Sequence, residues 1–194
     1  MAGALTRAFF DRDAIAVAPE LLNKVLVGNG VAARLVEVEA YRADEDPGSH
    51  AFKGRTARNA SMFAAPGTLY VYFSYGNHWC MNVVSGPGEQ PHAVLLRAAA
   101  PLAGIDTMRA RRVAARRDRE LCSGPGRLGQ AFGVDRTHDG LDLVRGEIRI
   151  ADDGVAPPAR PGVSVRIGLA AGKGEARLYR FYVEGDENVS AKPR

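Results

Sequence analysis

Apolar and polar positions alternate with a period of two in several stretches of the chain, and this pattern predicts its strands. In KVLVGNGVAARLVEVEAY, residues 24–41, two such runs flank Gly28-Asn29-Gly30, whose residues tolerate positive φ, so the segment predicts a β-hairpin. Alternation in its second strand puts Leu35, Glu37 and Glu39 on one face and Val36, Val38 and Ala40 on the other. In GTLYVYFSYGNHWCMNVV, residues 67–84, Leu69, Val71 and Phe73 alternate with Tyr70, Tyr72 and Ser74. A Tyr75-Gly76-Asn77-His78 turn and a return strand follow, which predicts a second hairpin with an aromatic at its tip. HAVLLRA predicts a third strand ending in Arg97, and EIRIADD, VSVRIGL and LYRFYVEG, separated by Gly and Pro, read as further strands.

Helical signals are fewer. DRDAIAVAPELLNKVL suggests a helix opened by Asp11 or Asp13, in one piece or in two divided at Pro19. Pro101 is expected to open another helix running into MRARRVAARRDRE, where Arg109, Arg112, Arg116 and Arg119 recur at helical spacing as a stripe. SGPGRLGQAFGV predicts a short helix beginning at or just after Pro125. Between the hairpins, RADEDPGSHAFKGRTARN, residues 42–59, has no lasting periodicity, and long loops of this kind in a compact domain commonly carry function. No repeat or linker divides the chain, so the expectation is one domain, residues 1–194, of mixed α+β class.

Composition narrows the class without naming an activity. A chain of 194 residues with 46% hydrophobic and 25% charged residues can build one real core. The formal charge of +4 is compatible with a phosphate-bearing partner. Two cysteines, Cys80 and Cys122, are too few for a disulfide framework, and no Cys/His spacing resembles a zinc site. Charges at Arg7, Asp11, Arg12 and Asp13 interrupt the apolar start, so neither a signal peptide nor a membrane span is expected and a cytoplasmic location fits.

The candidate chemistry centres on the two glutamates, because a carboxylate in a strand that reads as buried is costly unless paired. Three uses stay open: a divalent-metal site, although no further acidic cluster is obvious beyond the solvated run Asp44-Glu45-Asp46; glycosidic chemistry, in which a carboxylate activates water; or a structural Glu–Arg pair. Arg97, closing an apolar strand, needs an acceptor that the glutamate face could supply. Tyr41, Tyr72 and Tyr75 could stack on a base or wedge into a helix, or simply pack. His50 and Asn82 could face a base, or be an exposed loop residue and a backbone partner. The arginine stripe could track phosphates or be a solvated face, and SGPGRLGQ could aim amides at a phosphate but lacks the established phosphate-loop spacings.

The blocks EVEAYRADEDPGSH, RNASMFAAPGTLYVYFSYGNHWCMNVV, VLLRAAAPLAGIDTMR and ELCSGPGRLGQAFGV, in this order, closely resemble the alkyladenine (3-methyladenine, methylpurine) DNA glycosylase family. The resemblance runs from about Phe9 to Ser190. It implies a compact domain with a curved antiparallel sheet, surrounding helices and a protruding β-hairpin. The implied enzyme is monomeric, uses no metal or cofactor, flips a damaged purine from duplex DNA and hydrolyses its N-glycosidic bond. By the same resemblance Glu39 matches the general base and Arg97 the side chain beside it and the water. Tyr41 matches one stacking wall, His50 and Tyr72 the opposite wall, Tyr75 the wedge and Asn82 a pocket-floor residue that discriminates against normal guanine. Glu37 matches a supporting group. None of the four lysines, Lys24, Lys53, Lys173 and Lys192, matches a catalytic position, so a monofunctional enzyme is expected, with a catalytically inactive damage-binding protein as the alternative.

Overall fold

A computed structural model describes residues 3–43, 45–74, 76–87 and 90–190. Two short helices, α1 (Arg7–Phe10) and α2 (Ala14–Leu21), follow a two-residue strand, β1 (Gly3–Ala4). Asp13 caps α2 by accepting from the Ile15 amide at 2.8 Å, and the helix runs in one piece through Pro19. The first hairpin is β2 (Val25–Gly28) with β3 (Val31–Tyr41), joined by Asn29 and Gly30 at φ of 52° and 78°. Both central residues of a two-residue turn with positive φ match the right-handed strand twist, so the predicted register forms.

The second hairpin is β4 (Leu69–Ser74) with β5 (His78–Ser85); Tyr75, expected at its tip, lies outside the described residues. Strand β6 (His92–Ala103) lies between β5 and β3. Helices α3 (Ile105–Arg111) and α4 (Pro125–Ala131) and the short strands β7 (Arg149–Asp152), β8 (Gly162–Ser164) and β9 (Arg180–Tyr182) complete the described fold. The curved sheet is antiparallel throughout its described pairings, in the order β1-β7-β2-β3-β6-β5-β4. Strand β3 pairs with β2 through residues 31–34 and with β9 through Glu37, Val38 and Glu39. The α+β class expected from the pattern is the class observed.

Three expectations are corrected. Leu35 does not share the glutamate face: the pairing of β3 with β6 is irregular on both sides of Glu37, and the core residues change from Val31, Ala33 and Leu35 to Val38 and Ala40. Strand β6 changes at the same level, from Val94 and Leu96 to Ala99, so both pleats skip a step together. Pro101 does not open a helix but sits opposite Ala33 near the end of β6, beyond the residues that β5 pairs, where the missing N–H meets no partner strand. Gly104, in the left-handed region at φ 69°, precedes α3 instead.

The arginine stripe also dissolves, because α3 ends at Arg111 with Met108 as its single buried residue, too narrow an apolar face to hold a longer helix. Arg109 pairs with Asp106 and Asp118, Arg112 with Gln130, and Arg119 with Glu187. Two glycines of SGPGRLGQ serve packing: a Cβ on Gly129 would stand 2.1 Å from the Trp79 carbonyl oxygen, and one on Gly126 2.5 Å from the His78 ring. They let α4 press against β5, which brings Pro125 to the rim of the cavity described next.

The main core lies between one sheet face and α2, α3 and α4. On the other face the long loop 42–59 covers a small second cluster of Ala51, Met62, Tyr70, Val84 and Ala93. Asn59 fastens that loop, donating to the carbonyls of His50 and Gly54 and accepting from the Thr56 amide. A space is left between loop and sheet, and the glutamates lie beside it.

Candidate active site

The irregular pleat at Glu37 leaves Glu37 and Glu39 reaching one cation. Arg97 comes from the adjacent strand and bridges them, with Nε 2.7 Å from Glu37 Oε1 and Nη1 3.1 Å from Glu39 Oε1. Both carboxylates are 0% exposed and Arg97 is 6% exposed. Burial alone would lower the Arg97 pKa, but Glu39 and Glu37 raise it above its ordinary value, so the guanidinium stays charged.

The two carboxylates have different surroundings. Glu37 also accepts from Arg180 Nε at 2.8 Å, from the Ser190 amide at 2.6 Å and from the Ser190 hydroxyl at 3.0 Å. Burial pushes its pKa up, but Arg97, the Ser190 amide and Arg180 together hold it below the usual carboxylate value. Among the described residues Glu39 has three partners: Arg97, the Ile167 amide at 2.8 Å on Oε1, and the Tyr41 hydroxyl at 2.9 Å on Oε2. Among the described residues Glu37 accepts three of its hydrogen bonds on Oε1 and one on Oε2, and Glu39 two on Oε1 and one on Oε2, so what separates them is that Glu37 is held by two arginines and Glu39 is paired with Arg97. Of the uses left open by the sequence, a structural Glu–Arg pair describes Glu37, which two arginines and Ser190 hold, while Glu39 is tied to Arg97, the Ile167 amide and the hydroxyl of the cavity-lining Tyr41.

Beside them lies a cavity of about 340 Å³ lined by Tyr41, His50, Tyr72, Asn82 and Arg97, the sequence candidates that the structure brings together. The His50 and Tyr72 rings meet edge to face with centroids 4.6 Å apart, and His50 Nδ1 shares a hydrogen bond with the Tyr70 hydroxyl at 2.8 Å. Burial raises the pKa values of Tyr70, Tyr72 and Tyr41 far enough that all three phenols stay neutral. Asn82 Nδ2 donates to the Tyr70 carbonyl at 3.1 Å, which fixes its amide at the strand surface. Cys80 lines the same cavity, and burial raises its thiol pKa, so it stays protonated. Among the described residues no three His, Cys, Asp or Glu side chains gather as a metal site would require.

His50 is held below its ordinary pKa by burial and then by the Arg58 charge. A histidine depressed on folding binds fewer protons than in the unfolded chain, so its stability contribution is full above pH 6.5 and declines as pH falls through 6.5 toward the folded value. His50 as a residue is partly open to solvent, which blunts this effect. Urea unfolding at pH 5.5 and 7.5 is expected to show a smaller pH difference for His50→Gln than for wild type; an unchanged difference would remove His50 from the acid response.

Sequence reasoning missed several groups. Asp46 belongs to the run read as solvated, yet it is wholly buried against an equally buried Arg166. The segment VSVRIGL is a strand only to Ser164; beyond it Ile167, Gly168 and Leu169 line the cavity, and Ile167 supplies the amide to Glu39. Arg180 and Ser190 were not singled out because they stand 143 and 153 residues from Glu37, and no local pattern links them.

A profile of the methylpurine-DNA glycosylase family matches residues 8–187. A relative from Burkholderia orbicola (strain MC0-3) is 51% identical over 97% of this chain and 92% of its own length. Relatives from Streptomyces avermitilis and Carboxydothermus hydrogenoformans are 45% and 43% identical, over 96% and 97% of this chain and 90% and 99% of their own lengths. All three carry the name "Putative 3-methyladenine DNA glycosylase". No helix of the described residues is long and apolar enough to cross a membrane. With the profile spanning nearly the whole chain and relatives of this closeness covering it end to end, the chain belongs to the methylpurine-DNA glycosylase family, hydrolases of N-glycosyl bonds in DNA.

Proposed function

We propose that this chain is a monofunctional glycosylase that takes alkylated or deaminated purines, among them 3-methyladenine, 7-methylguanine, hypoxanthine and ethenoadenine, out of duplex DNA and leaves an abasic site for base excision repair. The observation that carries the proposal is Glu39, buried, with Arg97 at 3.1 Å and the Tyr41 hydroxyl at 2.9 Å, beside a cavity lined by Tyr41, His50 and Tyr72. Flipping costs a few kcal/mol, and stacking returns about 1–3 kcal/mol per base, so an aromatic-lined pocket offsets the extrusion. In this reading Tyr41 faces His50 and Tyr72 across the base, and Tyr75 occupies the gap left in the duplex.

Hydrolysis then needs water at C1′ of the deoxyribose. Glu39 accepts a proton from that water as the water oxygen bonds C1′. The C1′–N bond breaks and its electron pair leaves with the purine, so an N3- or N7-alkylated cationic base departs neutral. The Glu39 charge stabilises the positive sugar in the transition state, and Arg97 holds Glu39 in place. The neutral phenols offer electron-rich faces to a cationic base. Of the described lysines, Lys24 pairs with Asp152, and Lys53 and Lys173 line a neighbouring cavity and not the one beside Glu39, which supports the monofunctional reading. The proposed enzyme acts as a monomer in the cytoplasm or on the nucleoid.

Base release from a lesion-bearing duplex, compared with release from the free nucleoside across a salt series, tests this reading. Activity on the duplex alone that falls as salt rises supports it; activity on the nucleoside, indifferent to salt, would point to a nucleoside hydrolase. Asn82 supplies a specificity test. Asn82→Ala is expected to raise release of undamaged guanine relative to a lesion by about tenfold, measured with matched duplexes. An unchanged ratio would take guanine exclusion away from Asn82.

A further inference from the structure

We propose that Arg166, locked to Asp46, is a positioning residue that sets the Tyr41 ring and the loop bearing His50 in one fixed relation to Glu39; this rests on the roles proposed above for Tyr41 and Glu39. The pair is completely buried, with both guanidinium ends engaged by the carboxylate and Nη2 2.7 Å from Asp46 Oδ1. Three parts of the site meet there. Asp46 also accepts from the Gly48 amide at 3.1 Å and the Arg42 amide at 3.3 Å, which shapes the turn leading into His50. Arg166 donates to the Ala40 carbonyl at 3.1 Å, between Glu39 and Tyr41, and its guanidinium lies over the Tyr41 ring at 4.5 Å. Its chain neighbour Ile167 gives the amide to Glu39.

Arg166 is not among the cavity-lining residues, whereas Tyr41 is, so the guanidinium supports the ring from outside the space where a base would stack. Among the described residues no partner reaches the buried Arg166 Nε, so the guanidinium's fixed contacts are the fork to Asp46, the Ala40 and Gly174 carbonyls and the Tyr41 and Tyr179 rings. The arrangement uses the flat face and fork of arginine, neither of which lysine reproduces. A ring held on one side by a rigid plane cannot swing away when a base enters on the other. That pre-organisation acts on the bound, flipped state and leaves the DNA surface unchanged.

Arg166→Lys keeps a charge for Asp46 and is the primary variant; Arg166→Gln with Asp46→Asn removes both charges and leaves neither stranded. Each is compared with wild type in lesion-duplex affinity, single-turnover base release, ethenoadenine fluorescence on binding, and melting temperature. The expected result is affinity within about threefold of wild type, base release slowed at least tenfold and a weakened fluorescence change from the stacked base. In a Tyr41→Ala background, Arg166→Lys is expected to cost less than about twofold, because the ring it supports is gone. Equal losses in both backgrounds, or wild-type release and fluorescence in Arg166→Lys, would overturn the proposal. A wild type that never releases base would sink the assigned hydrolysis instead, and the fluorescence comparison would still decide the role of Arg166.

Discussion

Glu39→Gln is expected to lower base release by about 10²–10⁴-fold, the range supplied by a positioned general base, while folding and lesion-duplex binding persist. The amide is nearly isosteric and can still accept from the Ile167 amide or the Tyr41 hydroxyl, so local geometry has reason to survive. Arg97 keeps Glu37 as its counter-ion at 2.7 Å, so no buried cation is stranded. On the proposed mechanism, what is lost is the proton acceptor for water and the negative charge facing C1′. Single-turnover release, duplex affinity and a melting curve on the same preparation separate these effects. Release at the wild-type rate would remove Glu39 from the chemistry, and loss of both folding and release would make it structural.

Glu37→Ala should act on stability. The substitution leaves Arg97 with Glu39 alone as an acidic partner and takes from Arg180 its contact with Glu37, within a site where both cations are almost inaccessible to water. Breaking a buried pair by deleting one member costs about 3–5 kcal/mol. For a chain of this size that lowers the melting temperature by roughly 6–20 °C. Equilibrium urea unfolding would measure it, and a loss below about 1 kcal/mol would show that water or other groups replace the carboxylate. Glu37 also contributes to acid sensitivity. Its folded pKa lies below 4.5, so its stabilisation is complete above pH 4.5 and fades as pH falls through the folded value. The Glu37→Ala protein should therefore lose less of its remaining stability than wild type does on acidification through that window.

What could be read in the sequence was local. Alternation and the Asn29-Gly30 turn were enough for the first hairpin, and the alternation of Tyr70 and Tyr72 with Leu69 and Val71 separates the cavity side of β4 from its core side. The glutamate strand was legible as an anomaly, and Arg97 as a cation in need of an acceptor. Alternation failed at Glu37 because the irregular pleat is a joint property of β3 and β6, and neither strand announces it alone. The stripe from Arg109 to Arg119 had helical spacing but little apolar face: Val113 is 87% exposed, and the chain turns back to bury Leu121 instead of continuing the helix. Arg166 was invisible because its partner Asp46 lies 120 residues away, inside a run whose composition looks solvated. The roles of individual side chains came from the family resemblance, since spacing alone left metal, glycosidic and structural readings of the glutamates open.

The most direct test of the central claim mixes purified wild-type protein and Glu39→Gln with labelled duplexes carrying one ethenoadenine or one hypoxanthine, followed by alkaline cleavage of abasic sites. The account predicts strand cleavage at the lesion with wild type, little or none with Glu39→Gln, and comparable binding of the duplex by both. Tight binding without cleavage by wild type on these duplexes and on methylated DNA would contradict it, and would leave a damage-binding protein in place of an enzyme.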